Sequence, residues 1–492
     1  MSVGRFTSYN LIGELIPQIV TLVTIPIYLH LIGPERFGVL SLSWLLLGYF
    51  GLFDLGLGRA TSFRIAAQRD APAADRAETF WGALIVNIGM GTVGGVILWA
   101  AGAFFFANLF KVEESLRPEI LQAMPLLAMS VPVATLTGVL TGALQGREKF
   151  LETNKISVLF TILFQILPIV VALFHGPQLM WLLAAALASR AVALVLLWLL
   201  CNKEILSGHP IKAGWSTIRA LLGYGGWVSF NALIGPVLVI VDRFAIGAVL
   251  GATAVAYYTV PFQIAKRITI LPGALSNALF PKLAMASPNE AIELGQRSLA
   301  TVVCAITPPV LIAILFIEPF LRLWVGQNVA SLAAPTGRVL LIGYWLNALA
   351  LLPFIRLQAS GRPNIVTYNL LMQIPFYLAA LYFGMTYFGL VGCALALSAR
   401  FGVDLIMQQR GANGRLEGLS VTLFPLGLLC AASLVFTIWG YGDIAGWACA
   451  AGLIIISFIH AWRSAPAELQ SLVHGFVVQF NLRFGRIWGR VR

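Results

Sequence analysis

Leu179-Met-Trp-Leu-Leu-Ala-Ala-Ala-Leu-Ala-Ser-Arg190-Ala-Val-Ala-Leu-Val-Leu-Leu-Trp-Leu-Leu200 is a continuous apolar run with a single charge near its middle. About 20 such residues, wound as a helix, cross the hydrocarbon core of a bilayer. Comparable runs recur from Leu11 almost to Trp462, and the chain is 59% hydrophobic with only 11% charged residues. Its mean hydropathy is +0.87. No water-soluble surface can be built from that composition, since a soluble domain carries about 25% charged residues. Runs that are apolar throughout, rather than at alternate positions, exclude a transmembrane barrel. The sequence therefore predicts an all-α, polytopic membrane protein.

We place fourteen spans at 11–32, 38–57, 80–106, 121–144, 156–175, 179–200, 221–249, 254–281, 298–318, 338–358, 364–385, 388–408, 419–440 and 444–462. An even count puts both termini on one side. Arg59, Arg64, Arg69 and Arg76 in one loop, Arg147, Lys149 and Lys155 in the next even loop, and the Arg-rich tail share that side; the opposite loops hold chiefly Arg36, Lys111, Arg117 and Arg322. The positive-inside rule makes both termini cytoplasmic. The first run reads as a retained helix, not a signal peptide, having no small-residue cleavage pattern. The net charge of +12 lies mostly in these loops and the tail, where anionic lipid headgroups suffice as partners and nucleic acid is not required. Cys201, Cys304, Cys393, Cys430 and Cys449 have no disulfide or metal-ligand spacing.

The chain resembles itself once. Gly146-Arg147 with Asn154 matches Gly361-Arg362 with Asn369 at 215 positions, Leu187-Ala-Ser-Arg190 resembles Leu397-Ser-Ala-Arg400 at 210, and Gly33 through Val39 resembles Gly251 through Tyr257 at 218. The near-constant offset predicts two parallel six-helix lobes, residues 1–215 and 216–416, facing each other across a cleft. Residues 417–462 are two appended spans. In the tail, 463–492, Leu469, Leu472, Val473, Phe476 and Phe480 at helical spacing followed by arginines predict an amphipathic helix on the cytoplasmic leaflet.

A charge at the bilayer centre costs at least about 2.5 to 3.5 kcal/mol, so each one requires a reason. Arg190 and its repeat mate Arg400 fall near mid-depth, as do Lys266 and Arg267; Arg356 lies toward the cytoplasmic end of its span. Such cations face water, a counter-charge or an anionic ligand. Asp404 follows Arg400 by one helical turn and can neutralise it. Asp242 and Arg243 are adjacent, point in different directions and need other partners. Glu14 and Asp54 either titrate as ion-coupling groups or pair with the arginines. No phosphate-cradling loop, zinc motif or paired Cys-x-x-Cys is present, so no cofactor or metal is expected and covalent chemistry is disfavoured.

Phe50-Gly-Leu-Phe-Asp54-Leu-Gly-Leu-Gly-Arg59-Ala-Thr resembles the polysaccharide transporter (Wzx-type flippase) branch of the multidrug/oligosaccharidyl-lipid/polysaccharide (MOP) exporter superfamily. So do the Gly33-Pro-Glu-Arg-Phe-Gly38 turn, Asp242-Arg243 with Ala256-Tyr257-Tyr258, and Leu144-Gln145-Gly146-Arg147. The resemblance implies two lobes that rock between inward-open and outward-open states and carry an undecaprenyl-diphosphate-linked oligosaccharide through a cationic lumen. That lumen agrees with the residues found from charge and depth alone: Arg190, Arg400, Lys266, Arg267 and Arg356 are expected to bind substrate, with Glu14, Asp54, Arg59, Asp242, Arg243 and Asp404 as coupling or gating residues. Partners implied are the lipid-linked glycan, membrane lipids and other glycan-assembly membrane proteins. A cation-coupled drug antiporter would carry an acidic cluster where the first span has Glu14 alone. A glycan polymerase or ligase would require a long outer loop that this chain lacks.

Overall fold

In hydrocarbon every backbone amide needs an internal partner, and the described chain meets that demand with helix. The computed structural model describes residues 3–50, 56–206, 208–215, 219, 238, 240–413, 419–466 and 470, excluding the side chains of 3–15, 49–50 and 413. The helices are α1 (Val3–Phe50), α2 (Leu57–Ala67), α3 (Ala73–Asn108), α4 (Arg117–Gly146), α5 (Phe150–His175) and α6 (Leu179–Cys201). They continue with α7 (Ala252–Ala265), α8 (Ile270–Met285), α9 (Pro288–Val325), α10 (Gln327–Ala359), α11 (Pro363–Asn413), α12 (Ser420–Ile438) and α13 (Ile444–Ser464). Among the described residues no strand occurs, and eleven helical stretches are long and apolar enough to cross a membrane. Two of the eleven each contain two expected spans, because α1 turns at Gly33 (φ 77°) and α11 at Gly389 (φ 57°). The expected span at 221–249 lies outside the described residues except for 238 and 240–249, and the tail helix lies almost wholly outside them. The protein is an all-α, multi-pass membrane protein.

The chain forms two compact units, residues 1–259 and 260–492. Their internal geometry repeats. After α4, Glu148 N donates to Gln145 O and Lys149 N to Leu144 O; after α10, Gly361 N donates to Gln358 O and Arg362 N to Leu357 O. Each pair is the hydrogen-bond signature of a Schellman helix end, and each needs a left-handed residue, supplied by Glu148 (φ 61°) and Gly361 (φ 71°). These turns are 213 positions apart, as are the left-handed glycines Gly176 and Gly389 that end the following helical stretches. The structural register of the repeat is therefore 213 here, two fewer than the glycine-arginine pairs suggest.

Small residues set how closely helices approach inside the first unit. A Cβ on Gly95 would stand 2.8 Å from the Ala128 carbonyl oxygen, which locks α3 against α4. One on Gly142 would overlap the Gly58 carbonyl, so α4 crosses α2 at backbone contact. One expectation needs correction. Arg59 and Arg64 do not sit in a loop; they ride on α2, whose Leu57, Ala60, Thr61 and Ile65 form a buried stripe at helical spacing. The polar residues between those positions hide the amphipathic period from a reading based on mean hydropathy.

We expect Gly142→Leu to remove most folded protein from the membrane, because overpacking a tight contact costs about 1–3 kcal/mol or more. Gly427→Leu, whose Cβ meets nothing within 4 Å, should melt like the parent. Thermal unfolding of the detergent-solubilised chain distinguishes the two.

Candidate functional site

Helix α6 carries Arg190 about halfway along its length, and α4 and α5 supply the walls around it. The guanidinium lies over the rings of Phe160 and Phe164, 5.4 Å from each centroid. Its Nη2 donates a long hydrogen bond to the Leu47 carbonyl (3.4 Å), and its buried Nε has no partner. No described carboxylate forms an ion pair with it. Aromatic faces stabilise a cation by about 0.5–2 kcal/mol, which does not offset its removal from water. The remainder is supplied by a cavity of about 190 Å³ lined by Thr137, Thr141 and Gln145 of α4, Thr153, Asn154 and Ser157 of α5, and Arg190. From Gln145 to Thr137 is eight residues, roughly 12 Å of helix. The cavity thus runs from the α4–α5 turn to the level of the arginine. Gln145 belongs to the Leu144-Gln145-Gly146-Arg147 motif and Asn154 to the internal repeat, so two sequence signals converge on this one cavity.

Arg400 is held in a matching way in the second unit. Its guanidinium lies 5.3 Å from the Tyr377 centroid and 5.1 Å from that of Phe401. Tyr377 stands 213 positions after Phe164, in the register of the turns, while Arg400 stands 210 after Arg190, so Val403 and not Arg400 occupies the position equivalent to Arg190. The expected neutralisation by Asp404 does not occur: Asp404 Oδ1 accepts from the side-chain amides of Gln373 (3.0 Å) and Gln408 (3.3 Å). Arg400 Nε and Nη1 are buried without hydrogen-bond partners. Glutamine amides reach the carboxylate first because both project from neighbouring turns of the same packed pair of helical stretches.

The remaining expected site residues occupy separate settings. Lys266 and Arg267 begin a 3₁₀ turn, Lys266–Thr269, that interrupts the helical stretch between α7 and α8. Short 3₁₀ insertions of this kind mark hinges. Lys266 is exposed and Arg267 half-buried. Arg356, also half-buried, packs against Gly295 of α9, where a Cβ would stand 3.5 Å from its Cδ. Neither Arg356, Lys266 nor Arg267 lines the groove beside Arg400. Arg59 is exposed on α2. Asp54 and the side chain of Glu14 lie outside the described residues.

Asp242 and Arg243 overturn the expectation that they point apart. Both are almost fully buried; Arg243 Nη1 lies 3.7 Å from Asp242 Oδ1, the Arg243 backbone amide donates to the same oxygen (2.7 Å), and the Tyr258 hydroxyl donates to Oδ2 (3.0 Å). The arginine stem is long enough to fold back, and away from water the adjacent carboxylate is the available anion.

A second buried ion cluster has no counterpart in the sequence reading. Arg338, near the start of α10, donates to Glu318 (2.9 Å), Thr437 Oγ1 (2.9 Å) and the Tyr441 hydroxyl (3.2 Å), while Glu318 also pairs with Arg322 (2.6 Å). Tyr441 donates to the Leu315 carbonyl (3.0 Å). The cluster ties α12 and the residues after it to the α9–α10 hairpin. Glu318 lies before the Gly326 turn and Arg338 beyond it, and the α9–α10 hairpin brings them together. Removing Arg338 takes away the buried partner of the half-buried Glu318 carboxylate and leaves it with the more exposed Arg322. We expect Arg338→Ala to cost about 3–5 kcal/mol and Arg322→Ala, on the more exposed partner, less than about 1 kcal/mol, read as the difference in thermal unfolding.

A multi-pass bundle whose two units repeat the same turns, with a bare cation at the end of a polar cavity, has the build of a membrane transporter. Its fold is similar to that of solved membrane transporters. It matches the lipid II flippase MurJ in its inward closed conformation at a TM-score of 0.70 and 11% identity, over 95% of this chain and 99% of MurJ. It matches an inward-facing multidrug-resistance MATE transporter of the MOP superfamily at 0.64 and 16% identity, over 84% and 99% of the two chains. The chain belongs to the polysaccharide biosynthesis protein family, whose sequence profile matches residues 3–287. A Shigella flexneri protein proposed to be an O-antigen transporter is 29% identical over 413 residues, 83% of this chain and 97% of its own length.

Proposed function

We propose that this protein is a flippase that carries a polyprenyl-diphosphate-linked oligosaccharide across the bacterial inner membrane by alternating access, with both termini cytoplasmic. The observation that carries the reading is Arg190, a guanidinium with no carboxylate partner among the described residues, at the inner end of a hydroxyl-lined cavity. Family membership, the Shigella relative and the fold shared with a lipid II flippase support it. Arginine binds phosphate oxygens in bidentate fashion. The threonine, serine and amide groups beside Arg190 offer the hydrogen bonds that a sugar or diphosphate loses on leaving water. Because the cavity begins at the basic α4–α5 turn, expected to be cytoplasmic, the polar headgroup enters there.

Lys266, Arg267, Arg356 and Arg400 share the work of holding the diphosphate in this reading. Lys266 and Arg267, on a 3₁₀ hinge, are suited to move during the change of access. Glu14, Asp54, Arg59, Asp242, Arg243 and Asp404 are proposed coupling or gating residues. Direction comes from the membrane potential: one charge through 100 mV is worth about 2.3 kcal/mol, so a dianion leaving a negative cytoplasm gains roughly 4–5 kcal/mol. Other glycan-assembly membrane proteins are the expected partners. A drug or cation antiporter would place an uncompensated carboxylate where this chain places Arg190.

Charge-assisted hydrogen bonds contribute about 1.5–3 kcal/mol, so Arg190→Gln should lower surface glycan at least about tenfold in cells that depend on this protein, at unchanged protein level. Arg190→Lys keeps the charge and should retain a measurable part. Undiminished export by Arg190→Gln would contradict the reading.

A further inference from the structure

The Gly33-Pro-Glu-Arg-Phe-Gly38 turn and its repeat mate at Gly251 have no part in the Arg190 cavity. Gly33 (φ 77°) and Gly251 (φ 93°) each take a left-handed backbone immediately before a helical stretch. At the 218-position offset Gly38 is equivalent to Ala256, and Pro34 to Ala252. Within the compact unit 1–259 the two stretches meet. A Cβ on Gly38 would overlap the Ala252 carbonyl and stand 3.4 Å from the Ala256 backbone nitrogen, so the second stretch of α1 crosses the start of α7 at backbone contact. Ala252 and Ala256 are fully buried at this crossing. The repeat packs on itself through its own small residues.

The segment after α3 closes over the same place. The Lys111 backbone amide donates to the Gly247 carbonyl (3.1 Å), the Ala252 amide donates to the Lys111 carbonyl (3.0 Å), and Lys111 Nζ donates to the Val249 carbonyl (2.8 Å). Phe110 lies against Gly247, where a Cβ would overlap its ring, and the rings of Phe105 and Phe244 stand 5.1 Å apart. On its other edge the segment is held by the Gly33 turn: the Glu113 amide donates to Glu35 Oε1 (2.8 Å). Residues 33–38 and 105–113 belong to the first repeat and 244–256 to the second. One strap of the first repeat is therefore bonded to the turn of its own repeat and to the turn of the other, and the expected topology puts all three segments on the outer side.

Two features set this seam apart from a permanent one. Its hydrogen bonds run through Lys111 and Glu113, both exposed, so water takes over those bonds as the seam parts and little is lost. Its closest contacts are made by Gly38, Gly247 and alanines, which offer no interlocked side chains to pull apart and allow packed helices to slide. The ion cluster around Arg338, by contrast, would strand buried charges on separation. We propose that residues 33–38, 105–113 and 244–256 form a clasp on the outer face, closed in this structure and opened in each transport cycle, with Lys111 as its fastener and Gly38 and Gly247 as the surfaces on which it re-seats. What passes the clasp rests on the flippase reading; its opening is measured without reference to export.

The test uses the full-length chain in spheroplasts, with its five native cysteines replaced. A single cysteine introduced by Ala256→Cys should react with a membrane-impermeant thiol reagent added outside, because the clasp opens. Lys111→Pro, which removes the amide that donates to Gly247, should speed that reaction several-fold, as should Gly247→Leu, which keeps Phe110 from seating. In a separate chain, Phe105→Cys and Phe244→Cys joined by a short bis-thiosulfonate linker should stop export of surface glycan, and a reductant should restore it; each cysteine alone should export normally. A cysteine at 256 that never reacts, a rate indifferent to both clasp variants, a pair that does not cross-link, or undiminished export by the linked chain overturns the proposal. Export lost in Arg190→Gln but kept by the linked chain would sink the clasp and leave the flippase reading standing. Full export by Arg190→Gln beside a reaction speeded by Lys111→Pro would do the reverse.

Discussion

A guanidinium in the middle of a membrane has to be compensated, and the two ways this chain does it separate its structural charges from its functional ones. Where the charge is structural, a carboxylate and a tyrosine hydroxyl close around it: Arg243 with Asp242 and Tyr258, Arg338 with Glu318 and Tyr441. Where the charge is offered for use, the carboxylate is missing among the described residues and aromatic faces take its place, as at Arg190 over Phe160 and Phe164. Aromatic faces are weak partners. They hold the cation in position, and among the described residues its one hydrogen bond is the long one to the Leu47 carbonyl, which a phosphate oxygen can replace.

The basic residues expected on the opposite side are spent locally. Lys111 Nζ donates to the Val249 carbonyl (2.8 Å), Arg117 to the Phe106 carbonyl (3.1 Å) and Arg36 pairs with Glu119 (3.2 Å). These bonds satisfy helix ends and loops that would otherwise bury bare carbonyls. Among the described residues Arg190 and Arg400 have no carboxylate partner, and each lies over two aromatic rings. The two units share the frame of turn, glycine and aromatic at 213 positions.

Composition and run length made the fold class legible, because only helices can satisfy a backbone in lipid. The repeat was legible too, though its register came out at 213 only from the left-handed turns, which short identical strings cannot locate. What escaped were features that depend on which elements meet. Helix α2 hid its stripe of Leu57, Ala60, Thr61 and Ile65 among arginines. The early start of α9 was written in Ser287 and Glu290, where the Glu290 carboxylate accepts from the Ser287 amide (2.9 Å), a capping pattern that hydropathy ignores. For the site, depth singled out Arg190 and Arg400 but could not tell which way each faced. The Thr137, Thr141 and Ser157 lining was invisible for the same reason, since a threonine on a transmembrane helix reads alike whether it bonds its own backbone or borders a cavity.

The central claim is that Arg190 keeps its charge at the end of a hydrated pocket with no carboxylate partner among the described residues. Modification rates of a single cysteine at Thr141, in a chain whose five native cysteines are replaced, test it directly with small thiol reagents of opposite charge and equal size. The account predicts that the anionic reagent reacts several-fold faster than the cationic one, and that Arg190→Gln removes the difference. Equal rates with Arg190 in place, or no reaction with either reagent, would contradict it.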